Sequence, residues 1–204
     1  VHRSPSQEGL SNQKKSYKMA EFSFSNVLDK TIGAKIMGGY RNEILVIPVA
    51  KIVAEPEPAA SPETLAAVCE LTGTFEFAAG FTPFIIDAKA GSVQYKADNQ
   101  GEAGAKSFKP SGSFSVKDKQ DADGLAAQLC NTDCVLLLQE HDGRQLVVGT
   151  RRMPAVVSPA FDSGAKAADA RGYAFTYEVD GSFLPKQYMA TPIDIDAIRN
   201  PVTP

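Results

Sequence analysis

The chain has 204 residues, 43% hydrophobic and 22% charged, with a formal net charge of −3 at pH 7. That length suits one domain with tails, the composition is that of a globular rather than a disordered chain, and no apolar run approaches the roughly 20 residues of a membrane-spanning helix. The acid excess argues against a general nucleic-acid binder, which needs a basic face to displace counterions. Cys69, Cys130 and Cys134 are too few and too odd in number for the disulfide framework of a small secreted domain, which favours a reducing compartment.

Residues 1–18 are polar and aperiodic, with Arg3, Lys14, Lys15 and Lys18 against Glu8, and lack the apolar stretch of a secretory signal. They read as a disordered or extended arm, an upstream extension or an added segment, ahead of Met19, which opens "MAEFSFSNVLDK" as a protein start would. Phe24, Val27, Leu28 and Ile32 then suit a short helix or turn that ends at Gly38-Gly39. "EILVIPVAKIV" (43–53) is a β-branched run whose Pro48 predicts an edge or bulged strand. "AEPEPAASPE" follows as an extended linker. Ser61-Pro62-Glu63 predicts a helix start, with Ser61 as N-cap and Pro62 at the first helical position. Leu65, Val68, Cys69 and Thr72 share one face of that helix, and Gly73 stops it.

From there apolar residues alternate. Phe75 and Phe77, then Val93, Tyr95 and Ala97, then Phe114 and Val116 recur at period two, as strands do. "ADNQGEAGAKS" (97–107) lies between two such runs and reads as the tip of a long hairpin over about 90–116. A second helix is predicted at "DADGLAAQLCN", where Ala122, Leu125, Ala126, Leu129 and Cys130 form one stripe; both helices should pack on a sheet. "CVLLLQEHDGRQLVVG" predicts a hairpin with Asp142-Gly143 in a type I′ turn. In "RGYAFTYEVDG", Tyr173, Phe175, Tyr177 and Val179 point to the core while Ala174, Thr176, Glu178 and Asp180 point outward, and Gly172 and Gly181 form the bounding turns. The end of the chain, "TPIDIDAIRNPVTP", reads as an extended arm. The expected fold is mainly β, sandwich-like or barrel-like, with two short flanking helices. A single domain over 19–190 lies between arms at 1–18 and 191–204.

Catalytic patterns are weak. "GEAGAKS" (101–107) resembles a phosphate-binding loop, but Lys106 is one residue too far from Gly104 and no helix follows. "KQDADG" (119–124) resembles a calcium loop, yet Lys119 takes the first ligand position and Cys130 that of the bidentate Glu, so the segment reads as a helix N-cap. Cys130 and Cys134 supply two soft ligands where a closed zinc site needs four, and buried thiols at a helix–strand junction are the simpler reading. His141 lies beside Glu140 in a turn, without a nucleophile elbow elsewhere, and reads as a solvated hairpin residue rather than a general base. Asp194 and Asp196 read as a solvated i, i+2 pair rather than as the two carboxylates of a glycosidase. No enzyme, cofactor or metal is expected.

The order "CVLLLQEHDGRQLVVGT", then "SGAKAADARGYAFTYEVDG", then "FLP" resembles a family of small tail structural proteins of tailed bacteriophages and prophages. The resembling positions are Val135–Leu138, Asp142-Gly143, Gly149, Ser163-Gly164 and Asp169-x-x-Gly172-Tyr173, within about Phe75–Pro185. The resemblance implies a tail-tube or ring subunit, a β-sandwich or barrel-like domain with a flanking helix, located in the virion after assembly in the host cytoplasm. Its partners would be copies of itself and other tail proteins, with double-stranded DNA as passing cargo and no membrane. The acidic "VAEPEPAASPE" segment departs from that pattern. Within this reading Asp98, Asn99, Glu102 and Lys106, at the hairpin tip, are the expected self-assembly contacts. The alternatives are a β-sandwich module that binds carbohydrate or a host surface, and a small hydrolase.

Overall fold

Ile44–Ile47, Val135–Leu138 and Leu146–Val148 are runs with almost no polar residue, and a strand of that kind is stable only where both faces of its sheet are covered. The computed structural model describes residues 37–166 and 169–199, and in it all three runs are central strands. β1 (Tyr40–Pro48) pairs antiparallel with β9 (Cys134–Glu140), which pairs antiparallel with β10 (Gln145–Val148). β6 (Phe84–Asp87) closes one end of this sheet beside β1. At the other end β13 (Tyr188–Met189) follows β10, then β4 (Glu70–Thr72), which runs parallel to β13, and β3 (Glu57–Pro58).

One face of this seven-stranded sheet carries Ile44, Val46, Leu136, Leu138, Leu146 and Val148, and packs against a second sheet. That sheet has the order β11 (Val156–Asp162), β12 (Gly172–Glu178), β8 (Ser107–Lys117), β7 (Gln94–Gln100), antiparallel throughout. Its inward residues Val157, Phe114, Phe175 and Tyr177 are buried, and Phe114 and Phe175 stack with centroids 4.9 Å apart. α2 (Gln120–Leu129) adds Ala126 and Leu129 to the same core. The other face, with Leu45, Ile47, Val135, Leu137 and Val147, is covered by the small sheet of β2 (Ile52–Ala54) and β5 (Glu76–Phe77), by Leu71, Phe75 and Met189, and by Ile195. The fold is therefore mainly β and built in layers, and each expected strand face is the one buried: Phe175 and Tyr177 lie inside, Ala174, Thr176 and Glu178 outside.

Several local expectations are corrected. Of the two expectations for the strand of Pro48, edge or bulged, the edge is overturned: β1 is central, its pairing with β9 is irregular between Tyr40 and Ile44, and β6 pairs with β1 only as far as Val46, so the missing N–H at Pro48 breaks no ladder bond on that side. α1 (Leu65–Val68) is one turn, capped by Thr64 Oγ1, which accepts from the Ala67 N–H at 3.1 Å, and not by Ser61. The rest of the expected helix is β4, whose Leu71 is needed in the core. The "linker" contributes β3. α2 begins after Lys119 with no side-chain cap; Asp121 and Asp123 lie in its first turn, where the helix dipole favours them. The C-terminal segment is not fully extended. Asp194 Oδ1 accepts from the N–H of Asp196 at 2.9 Å and of Ala197 at 3.2 Å, starting α3 (Ile195–Arg199), a third short helix. The readings of residues 1–18, of the Met19 start and of the helix ending near Gly38 fall on residues 1–36, which lie outside the described residues.

Candidate functional site

Among the described residues, one edge of the four-stranded sheet has no strand beyond it. β7 is the last strand of that sheet, and among the described residues β8 is the only strand it pairs with. Alternation along an antiparallel pair decides which of its backbone groups face outward. Phe108 exchanges hydrogen bonds with Ser182 (2.8 and 2.7 Å) and Pro110 accepts from Val179 (2.9 Å), so these two β8 residues point away from β7. Their partners Asn99 and Ala97, and Tyr95 by the same alternation, therefore turn their N–H and C=O groups toward the open edge.

The expected hairpin is present, and its tip is shorter and better anchored than the residue types imply. Asp98 and Asn99 are not in the loop; they lie in β7 opposite Lys109 and Phe108. Glu102 and Lys106 belong to the exposed loop 101–106. The strands behind it are tied to the segment after β12, because Gln100 Nε2 donates to the Asp180 carbonyl at 2.6 Å and Phe108 pairs with Ser182. The same segment carries Phe183, 95% exposed on a turn that Ser182 Oγ pins by donating to the Leu184 carbonyl at 2.7 Å. Its side chain is free to be buried by a partner at no cost to contacts within the chain. No periodicity exposes it in the sequence, because "GSFLP" is too short to show a pattern.

The outer face of the same sheet is a shallow concavity of about 510 Å³, lined by Ser111, Ser113, Ser158 and Thr176 with Lys96 and Glu178 at its rim. Lys109 meets Glu178 at 2.9 Å on that rim, and this contact raises the lysine's pKa. Small hydroxyls flatten the face, and Gly112 lets Tyr177 cross beneath it to donate to the Gln94 carbonyl at 2.6 Å.

The four expected turn formers divide. Gly143 has φ +94°, donates its N–H to the Glu140 carbonyl at 3.1 Å, and closes a three-residue loop between Glu140 and Arg144. Asp142 keeps a negative φ, so the turn is a type I turn followed by a bulge glycine and not type I′. Asp142 does serve that turn: it accepts from the Arg144 N–H at 3.0 Å and Arg144 Nε at 2.7 Å, which hold its carboxyl below the usual range. Gly172 opens β12 instead of turning the chain, and an added Cβ there would meet the Val116 carbonyl. Gly181 has no positive φ and leads directly into the Ser182 bridge.

Beside this hairpin lies a polar cluster around Glu140. Glu140 meets Arg144 at 2.9 Å and Lys186 at 3.4 Å and accepts from the Tyr188 hydroxyl at 2.9 Å, while the Arg144 guanidinium lies 4.7 Å from the Tyr188 ring centre. Burial, then the Glu140 contact, pushes the Tyr188 hydroxyl up. Every member is paired, and the cluster fastens β13 to β9 and β10. Of the thiols, Cys134 is buried and pushed up to about 12, whereas Cys130 is exposed, so the paired-burial reading holds for Cys134 only. His141 is exposed in the turn, as expected.

No family model, no curated protein and no solved structure matches the chain.

Proposed function

We propose that this chain is a structural subunit that acts by associating with itself, of the tail-tube or ring class that the sequence resembles. The observation that carries the reading is the β7 edge, which has no strand beyond it among the described residues; the exposed Phe183 is a second surface that a partner could bury. An open strand edge offers unpaired backbone groups to another chain, and an assembly satisfies them without aggregation. In that setting the partners are further copies and other tail proteins in a virion, DNA is passing cargo, and the acidic balance lets a phosphate backbone slide without sticking. Light scattering with negative-stain microscopy of the purified protein tests this: rings or tubes are expected, and a strict monomer at every concentration overturns it. Replacing the loop 101–106, with Glu102 and Lys106, by a short Gly-Ser turn leaves the monomer folded and weakens assembly; unchanged assembly removes the loop from the contact surface.

The outer-face concavity favours a second reading, a module that binds carbohydrate or a host surface, since its hydroxyls and rim charges suit polar ligands. Binding of a glycan by the monomer, abolished by Ser113→Val, would replace the assembly reading.

A further inference from the structure

The outward side chains of β7 run Gln94, Lys96, Asp98, Gln100, all on one face of the sheet. Read backwards, that series places opposite charges against each other. We propose that β7 is a self-pairing edge: two copies of the chain join their β7 strands antiparallel about Ala97, fusing two four-stranded sheets into one of eight strands. The inference rests on the self-association reading in one respect, that the partner is a second copy.

The backbone permits this register. Tyr95, Ala97 and Asn99 face outward, so a two-fold axis at Ala97 makes Ala97–Ala97, Tyr95–Asn99 and Asn99–Tyr95 hydrogen-bonded pairs, about six bonds in all since each pair exchanges two. The charges select it. Between those pairs, in the non-hydrogen-bonded positions where side chains approach most closely, each Lys96 stands opposite an Asp98 of the other copy. The neighbouring two-fold registers fail, because an axis at residue 96 sets Lys96 against Lys96 and one at residue 98 sets Asp98 against Asp98. In the single chain both side chains are exposed, and neither has an ion-pair partner among the described residues.

The opposite edge of the sheet differs. β11 carries Pro159, a residue without an N–H that blunts edge pairing, whereas β7 contains no proline. A lone edge lysine would blunt β7 as well; an aspartate two residues on, in this register, turns it into an attractive contact. The pairing closes on itself after two copies, so a larger ring uses a further surface, for which the exposed Phe183 is a candidate.

Analytical ultracentrifugation over a concentration series, with circular dichroism to verify folding, tests the pairing. Lys96→Asp and Asp98→Lys each set like charges across both contacts and raise the dimer Kd by about ten-fold. The double swap Lys96→Asp/Asp98→Lys restores parental affinity. An equimolar mixture of the two single variants forms heterodimers, because each supplies the charge the other lacks. If the singles associate like the parent, the β7 edge is not the contact, although self-association stands. If neither the double swap nor the mixture recovers association, the register about Ala97 is wrong. A parent that stays monomeric at all concentrations overturns both this pairing and the self-association reading.

Discussion

Tyr177 donates its hydroxyl to the Gln94 carbonyl, 2.6 Å away, by passing across Gly112, and so one aromatic side chain of β12 reaches over β8 to hold β7. Gly112 pairs with Tyr177 on one side and Tyr95 on the other, and a Cβ at that position would collide with both the Gln94 carbonyl and the Tyr177 ring. The glycine is therefore required by close approach. Gly112→Ala is expected to destabilise the domain by about 2–3 kcal/mol through overpacking. Tyr177→Phe, which removes only the hydrogen bond, should cost about 1 kcal/mol. Urea titration checks both, and a neutral Gly112→Ala would mean that β7 shifts freely.

Gln145 is the one buried polar side chain among the described core residues, and it makes two bonds to the same residue. Its Nε2 donates to the Ile193 carbonyl and its Oε1 accepts from the Ile193 N–H, each at 2.7 Å. This clamp holds the segment that leads into α3. Gln145→Leu keeps the volume and strands both backbone groups, so a loss of about 2–3 kcal/mol is expected. Proteolysis should then cut first near residues 190–199, and cleavage elsewhere would show that the clamp does not secure the C-terminal segment.

These two positions separate what the residues announce from what only packing decides. The alternation of Tyr173, Phe175 and Tyr177 and the unbroken apolar runs at Ile44–Ile47 and Val135–Leu138 are legible because burial imposes a period of two on a half-covered sheet and no period on a fully covered one. Pro48 misleads because an edge is a property of neighbours: the strand is central, and only β6's short length frees that position. The segment Leu65–Thr72 has a helical stripe, but Leu71 is worth more beside Met189 in a strand than on a helix face. Asp98 and Asn99 were legible as part of a hairpin and not as an edge, since which strand ends a sheet depends on the order β11-β12-β8-β7.

Alkaline pH should weaken the fold. Burial pushes the hydroxyls of Tyr40 and Tyr95 from 10.0 up to about 12, and the Cys134 thiol from 9.0 up to about 12. Between about pH 9 and 12 the unfolded chain releases these protons while the folded chain keeps them, so the unfolded state binds fewer protons and stability falls as pH rises. Below about pH 8 the three groups contribute almost no slope. Calorimetric Tm values across pH 8–11 at fixed ionic strength should decline, with tyrosinate absorbance appearing late. Early ionisation of every tyrosine with a flat Tm would show that these side chains are solvated.

Phe183 offers the cleanest separation of stability from association. At 95% exposure it makes almost no contact within its own chain, while its turn is held independently by Ser182 through the Phe108 bridge and the bond to the Leu184 carbonyl. Phe183→Ser therefore leaves the Tm of the monomer within about 2 °C of the parent, as surface substitutions away from packing features do. Burying one phenylalanine against a partner is worth about 1.5–3 kcal/mol, so the same change should weaken self-association by about ten-fold or more, read as a shift in the sedimentation isotherm. Because Lys96 and Asp98 act through a different part of the surface, Phe183→Ser and Lys96→Asp should weaken association additively if the two surfaces contact different copies. A fall in monomer Tm with unchanged association would place Phe183 in the fold instead of at a contact.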